Sequence, residues 1–205
     1  MEGETKKAAL IVVISLIFIA GFSFLRSRQQ RTGVSLPSGK EGGKVGWYLY
    51  ENRLHNLSFQ YPIGWQLEEI ADEPQFLSVV LKKEDISQER VSVSDGEKIT
   101  PVYSINIKVN KNSKKLSVKN YYLSQFTTSS RDQAEKKIEE LTVAGRPAIK
   151  YLEGTAPASG PSTIVLVATE DKIYSFSYSA LAKKETHEKF LDQFNLLLTT
   201  VKISD

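Results

Sequence analysis

The residue types best suited to catalysis or metal binding are sparse in this chain, which has two histidines, His55 and His187, and no cysteine. Without thiols there is no thiolate nucleophile, no disulfide and no Cys-ligated metal or iron–sulfur site. A histidine-based metal site would have to borrow carboxylates, and the acids here sit among lysines in runs such as Glu135–Glu140 that read as solvated surface. Glu68-Glu69 and Asp72-Glu73 are the closest thing to an acidic cluster. Carboxylates so placed could attract calcium, but they lack the ordered oxygen spacing of a calcium loop, so they read as a solvated turn. His55 is expected in a loop and His187 in the first turn of the last helix, each with a structural or solvent role. The chain has no G-x-S-x-G elbow, no H-E-x-x-H pair and no dinucleotide glycine triplet. Gly39-Lys40-Glu41-Gly42-Gly43-Lys44 hints at a phosphate loop, yet it lacks the G-x-x-x-x-G-K-[ST] spacing and no strand pattern precedes it. These residues predict no catalytic, cofactor-binding or metal-binding site, and a non-enzymatic protein.

Aromatic residues offer a different chemistry. Trp47, Tyr48, Tyr50, Tyr61 and Trp65 crowd one short stretch. They could line a ligand cleft, since small-molecule pockets are rich in aromatic side chains. In short strands such residues more commonly form core and cross-strand pairs, which is the reading taken here. A ligand-sensing or solute-binding domain with an aromatic pocket stands as the alternative. Two polar stretches, Glu84–Lys98 and Thr155–Ser162, are long for loops between strands and are the first places to seek a partner surface.

The elements that must position these residues are mostly strands. Leu57, Phe59 and Tyr61 alternate with Ser58 and Gln60 up to Pro62, and Ile105, Ile107 and Val109 alternate with Asn106, Lys108 and Asn110. Residues 164–168, Ile-Val-Leu-Val-Ala, are apolar without alternation, as expected of a strand covered on both faces. Glu170-Asp171 supplies a tight turn into a strand carrying Tyr174, Phe176 and Tyr178, and Ala144-Gly145 joins residues 138–143 to 147–152. Val118, Tyr121, Tyr122 and Phe126 share one helical face after Ser117, a candidate N-cap. Phe190, Leu191, Phe194, Leu197 and Leu198 form the apolar stripe of a second helix. A mainly antiparallel sheet with a helix on each face accounts for the doubly apolar strand.

Upstream, residues 8–25 run without a charge between Lys6-Lys7 and Arg26, Arg28 and Arg31. As a helix this run rises about 27 Å, close to the hydrocarbon thickness of a bilayer. It is apolar all round and passes beyond Gly21-Phe22-Ser23, a weak signal-cleavage site, so it reads as an uncleaved anchor. The predicted organisation is a short head at 1–7, a transmembrane anchor at 8–25, a linker at 26–46 and one domain at 47–205. The linker, rich in Gly, Ser and charge, would hold the domain ~25 Å from the membrane if it behaves as a flexible chain.

Charge follows this division. Residues 1–46 hold 7 Lys/Arg against 3 acids, leaving 20 Lys/Arg against 21 acids in the domain. The basic excess therefore flanks the anchor, where it can meet lipid head groups, and a nucleic-acid partner is not expected. The arginines after the span outnumber Lys6 and Lys7 before it, so a count of cations alone places the domain in the cytoplasm.

Tyr50-Glu51-Asn52, then Leu57-Ser58-Phe59-Gln60-Tyr61-Pro62 and Trp65, resemble the opening of PsbP-like domains. The later residues are similar to that family too: a strand ending at Val143, then Gly145-Arg146-Pro147, a strand through Tyr151, the hairpin at Asp171–Tyr174, and a closing helix with Phe190 and Phe194. The resemblance spans about residues 47–203 and implies an α+β fold, an α/β/α sandwich around a mainly antiparallel sheet, which DcrB-type periplasmic proteins share. It also implies a binding or assembly protein whose anchored domain faces outside the cytoplasm, where an envelope protein is the expected partner; the balanced charge and apolar segments of residues 47–205 predict a monomeric domain. Metal-binding histidines of the plant subunits do not carry over, because neither His55 nor His187 matches their motif.

Overall fold

Alternating apolar residues along Tyr103, Ile105, Ile107 and Val109 set the middle of the molecule, since their side chains must all leave one side of a strand. The computed structural model describes residues 46–84, 91–92, 98–154, 162–181 and 184–204. The expected head, anchor and nearly all of the linker lie outside the described residues. Among the described residues, no helix is long and apolar enough to cross a membrane.

The strands are β1 (Trp47–Asn52), β2 (Leu57–Pro62), β3 (Gln66–Glu73), β4 (Phe76–Glu84), β5 (Val91–Ser92), β6 (Lys98–Ile99) and β7 (Val102–Lys111). Two short helices follow, α1 (Val118–Leu123) and α2 (Arg131–Glu135). The chain continues through β8 (Glu139–Val143), β9 (Arg146–Glu153), β10 (Ser162–Ala168), β11 (Lys172–Leu181), α3 (Lys184–Leu198) and β12 (Lys202–Ile203). A seven-stranded sheet has the order β3-β4-β7-β11-β10-β9-β8, and a three-stranded sheet the order β1-β2-β12. Every pairing is antiparallel, which gives an α+β fold dominated by antiparallel strands.

Side-chain alternation assigns the two faces of the large sheet. Ile105, Ile107, Val109, Val165, Val167, Tyr174, Phe176 and Tyr178 share one face, where they pack with Phe190, Phe194, Leu197 and Leu198 of α3 and with Leu57, Phe59 and Tyr61 of the small sheet. Ile149, Ile164 and Leu166 point the other way and pack with Val118 and Tyr122 of α1 and Ala134 of α2. This is why β10 is buried on both sides, as its unbroken apolar run requires. Among the described residues, helices cover the second face over β9 and β10. Across β11 and β7 it bears Ser175, Ser177, Ser179, Ser104 and Asn106, half-buried and polar.

Local signals explain the turns and caps. Ser117 caps α1 by accepting the Asn120 N–H at 3.3 Å. The helix ends at Leu123, short of the expected stretch to Phe126: beyond it the N–H groups of Gln125 and Phe126 turn to the i−3 carbonyls of Tyr122 and Leu123, at 3.1 and 3.2 Å. Phe126 still packs on Tyr122, with ring centroids 5.0 Å apart. Ala144 and Gly145 both take positive φ, 52° and 73°, the backbone that a two-residue hairpin needs to follow strand twist. Buried Asn112 fastens the exit of β7: its amide donates to the carbonyls of Leu116 and Thr169 at 2.9 Å each, and its carbonyl accepts the Leu116 N–H at 3.0 Å.

Candidate functional site

The chemistry-bearing residues that the sequence offered gather at one seam, where the β1–β2 hairpin meets β3 and the start of β11. The hairpin turn, Arg53–Asn56, closes with a positive φ at Asn56 of 55°, a conformation asparagine tolerates better than most residues. His55 sits in this turn, as expected, but it is 1% exposed. Asn52 organises the turn: its carbonyl accepts the His55 N–H at 3.0 Å, and its amide donates to Asp72 Oδ1 at 3.1 Å. Tyr50 donates its hydroxyl to Glu69. From the other side, Tyr174 donates to the His55 carbonyl at 2.9 Å and Lys172 Nζ to the Leu54 carbonyl at 3.1 Å.

The acidic residues need a correction. Glu68, Glu69, Asp72 and Glu73 were expected in a solvated turn; they lie on β3, an edge strand that pairs with β4 along its length. They are solvent-exposed, and the pairing shifts register between Glu69 and Ala71. The strand was hard to see because only its edge position permits so many charges; Leu67 and Ala71 are its half-buried residues.

The imidazole of His55 lies close to Asp72, with Nε2 3.4 Å from Oδ1, yet neither ring nitrogen has a hydrogen-bond partner. Burial first, and the nearby Lys172 ammonium second, hold the His55 pKa below its ordinary value, with Asp72 opposing them. Burial and the bond to Glu69 push the Tyr50 hydroxyl well above its ordinary range. The ring thus loses its proton more readily than a free imidazole does, and Tyr174 addresses its main chain. Among the described residues no three His, Asp or Glu side chains are grouped so as to hold a metal ion.

Two clefts flank the turn. A cleft of about 200 Å³ is lined by His55, the β3–β4 turn residues Pro74 and Gln75, the end of β7 at Val109–Lys111, and Asp171 and Lys172. A smaller one of about 130 Å³ lies against Glu51, Arg53, Asn56 and Ser204. Neither is lined by the aromatic residues that the sequence offered as a possible ligand wall. Those residues are packed elsewhere: Tyr50 stacks on Phe59 at 4.8 Å, Tyr48 tilts against Tyr61 at 5.6 Å, and Trp65 meets the edge of Phe190 at 6.1 Å. Trp65 is 4% exposed, and its indole N–H donates to Gln193 Oε1 at 2.8 Å. They are core and cross-strand pairs. His187 lies in the first turn of α3.

The two long polar stretches fall largely outside the described residues, but the strands that carry them are placed. The register sets Glu84 opposite Val102 and Val102 opposite Leu181, while Ser162 lies opposite Glu153. Both stretches therefore leave from the same end of the large sheet, opposite to the His55 end. The chain also enters the domain there, since the Ile63 N–H bonds the Gly46 carbonyl at 2.9 Å and β3 begins with Gln66 opposite Lys82. Sequence reading had no means to see this convergence, which depends on strand order.

No family model matches the chain, and no curated protein matches it. Solved structures do. The chain is similar to cyanobacterial PsbP (CyanoP) from Synechocystis, with a TM-score of 0.50 and 13% identity, over 82% of this chain and 99% of that one. The Ran-binding protein Mog1p of Saccharomyces cerevisiae aligns at a TM-score of 0.40 and 13% identity, over 78% of this chain and 96% of its own. A Bacteroides thetaiotaomicron protein aligns at 0.39 and 11%, over 77% of this chain and 48% of its own. At such identities a shared shape is all that follows, and the first of these carries it: the chain has the PsbP-like fold.

Proposed function

We propose that the protein is a membrane-anchored, non-catalytic binding module. Residues 8–25 fix it in the bilayer, and its PsbP-like domain, an α/β/α sandwich, stands outside the cytoplasm to act on an envelope protein. The observation that carries the non-catalytic reading is the use made of the polar residues at the seam. Asn52, Tyr50 and Tyr174 each bond a group that fastens the β1–β2 hairpin to the large sheet, and His55 serves that joint through its main chain. The anchor reading is supported by the uncharged run at 8–25 and by a domain core that begins at Tyr50, beyond the linker. The outward orientation follows the fold likeness and the short head before a long apolar span, against the arginines that trail it.

Photo-crosslinking in the native membrane tests this reading. A crosslinking residue at Glu153, where the second polar stretch begins on β9, several strands from the β2–β3 turn, should yield one discrete protein adduct, and the same residue at Leu54 should not. Protease added to intact cells, or to spheroplasts where an outer membrane intervenes, should remove the domain. Full protection until the cytoplasmic membrane is broken would reverse the orientation. Turnover of an ester, peptide or phosphate substrate by the purified protein would overturn the non-catalytic assignment.

A further inference from the structure

We infer that the end of the domain bearing Gly46 and Ile63 rests on the lipid surface, and does not hang free at the distance a relaxed linker would allow. The inference rests on the anchor reading above and adds a partner for one face: the bilayer itself.

Among the described residues the large apolar side chains left exposed are Tyr48, Leu49, Leu54, Ile63, Ile70, Leu152 and Leu196, and three of them lie near Gly46. Ile63, 55% exposed, occupies the tip of the β2–β3 turn, bonded through its main chain to Gly46. Next to it on β1 come half-buried Trp47, Tyr48 at 37% and Leu49 at 42%. Lys83 approaches the same turn, since its Nζ lies 3.2 Å from where a side chain at Gly64 would begin. An aliphatic tip flanked by Trp, Tyr and a long basic side chain is the composition that partitions into the head-group region: rings prefer that depth, and lysine can keep its charge in water above its buried stem.

The chain outside the described residues brings this end to the membrane. Twenty-one residues, 26–46, separate the apolar run from Trp47, and among them Arg26, Arg28, Arg31, Lys40 and Lys44 face one acid, Glu41. Five cations against one acid attract such a connector to anionic head groups, and that attraction favours a short separation between Gly46 and the surface. What Gly46 brings down first is Ile63.

The absence of native cysteine makes the test direct. Full-length protein carrying Ile63→Cys, Leu49→Cys, Leu54→Cys or Ile17→Cys would be labelled with a polarity-sensitive fluorophore. Each would be reconstituted in phosphatidylcholine–phosphatidylglycerol vesicles doped with a head-group spin-labelled lipid. Leu54 is the matched control, 50% exposed and about 20 Å away at the far end of the β1–β2 hairpin. The expected result is blue-shifted emission and several-fold stronger quenching at positions 63 and 49 than at 54. Equal, weak quenching at 63, 49 and 54, with position 17 shielded from water, overturns the apposition and leaves the anchor standing. A water-exposed label at position 17 overturns both. Contact at position 63 that appears in native membranes but not in these lipid-only vesicles assigns the surface to a protein and overturns the lipid assignment.

Discussion

The hydroxyl of Tyr174 donates to the main-chain carbonyl of His55 at 2.9 Å, joining a central strand of the large sheet to the hairpin turn of the small one. The two residues are 119 apart in sequence, and the bond is buried. Around it Asn52, Asp72 and Lys172 make further contacts across the same seam, so the two sheets are fastened at this end by polar groups and elsewhere by the apolar core. Energies at such a joint are asymmetric: each bond adds little net stability, while removing one partner leaves a buried group unsatisfied.

Acid should loosen this joint through His55. Its folded pKa lies below the ordinary 6.5, so the unfolded state binds the proton more readily. The stabilising contribution is fully present above 6.5 and is lost as pH falls toward the folded value. Groups facing the ring are Asp72, which favours its charged form, and Lys172, which opposes it. Urea unfolding of the wild type should show stability falling as pH drops below 6.5, and His55→Phe should reduce that slope. An unchanged slope in the variant would assign the acid sensitivity to other groups.

Trp65 holds the β2–β3 turn against α3. Trp65→Ala should cost ~3–5 kcal/mol by removing a buried indole and its bond to Gln193, and Trp65→Phe should recover part of that loss. Denaturant midpoints measure both. A cost below about 1 kcal/mol for the alanine variant would mean that the ring is dispensable to packing.

Asn112 is the second polar keystone. Asn112→Ala strands the Leu116 N–H and two carbonyls, and is expected to cost ~1–3 kcal/mol. Amide hydrogen exchange should then rise in the Asn112–Ser117 connection and at Thr169 before it rises in the centre of β7. Uniform loss of protection would show that the connection unfolds only with the whole domain.

A fragment of residues 47–205 should fold alone as a monomer, because every buried residue of both core clusters lies within it. Sedimentation and a cooperative thermal transition check this. An aggregated fragment, or one without a cooperative transition, would place part of the domain upstream of Trp47.

Much of this architecture was legible because its signals are local. The period-two runs at β2, β7 and β11, the Ala144-Gly145 turn, the Ser117 cap and the apolar stripe of α3 each announce themselves within ten residues or so. The doubly apolar run at 164–168 even foretold helices on both faces of its sheet. What stayed hidden was set by long-range pairing. β3 looks like a charged turn until β4 is placed beside it, and β12 has too few residues for any periodicity. His55 reads as loop histidine, and it is; only the packing of Asp72 and Tyr174 around the turn makes it buried.

The closure of the small sheet by β12 bears on how the domain is made. Lys202 and Ile203 pair with Ser58 and Leu57, so β2 receives its second neighbour only when β12 has emerged from the ribosome. Until then Leu57 and Phe59 lack part of their cover, because Leu197, Val201 and Ile203 belong to the same cluster. Between the synthesis of β2 and that of β12 the nascent chain therefore carries an open apolar edge, the condition under which strands pair with the wrong partner. A chain cut just before Lys202 would keep β1 and β2 but lack the strand that closes their sheet.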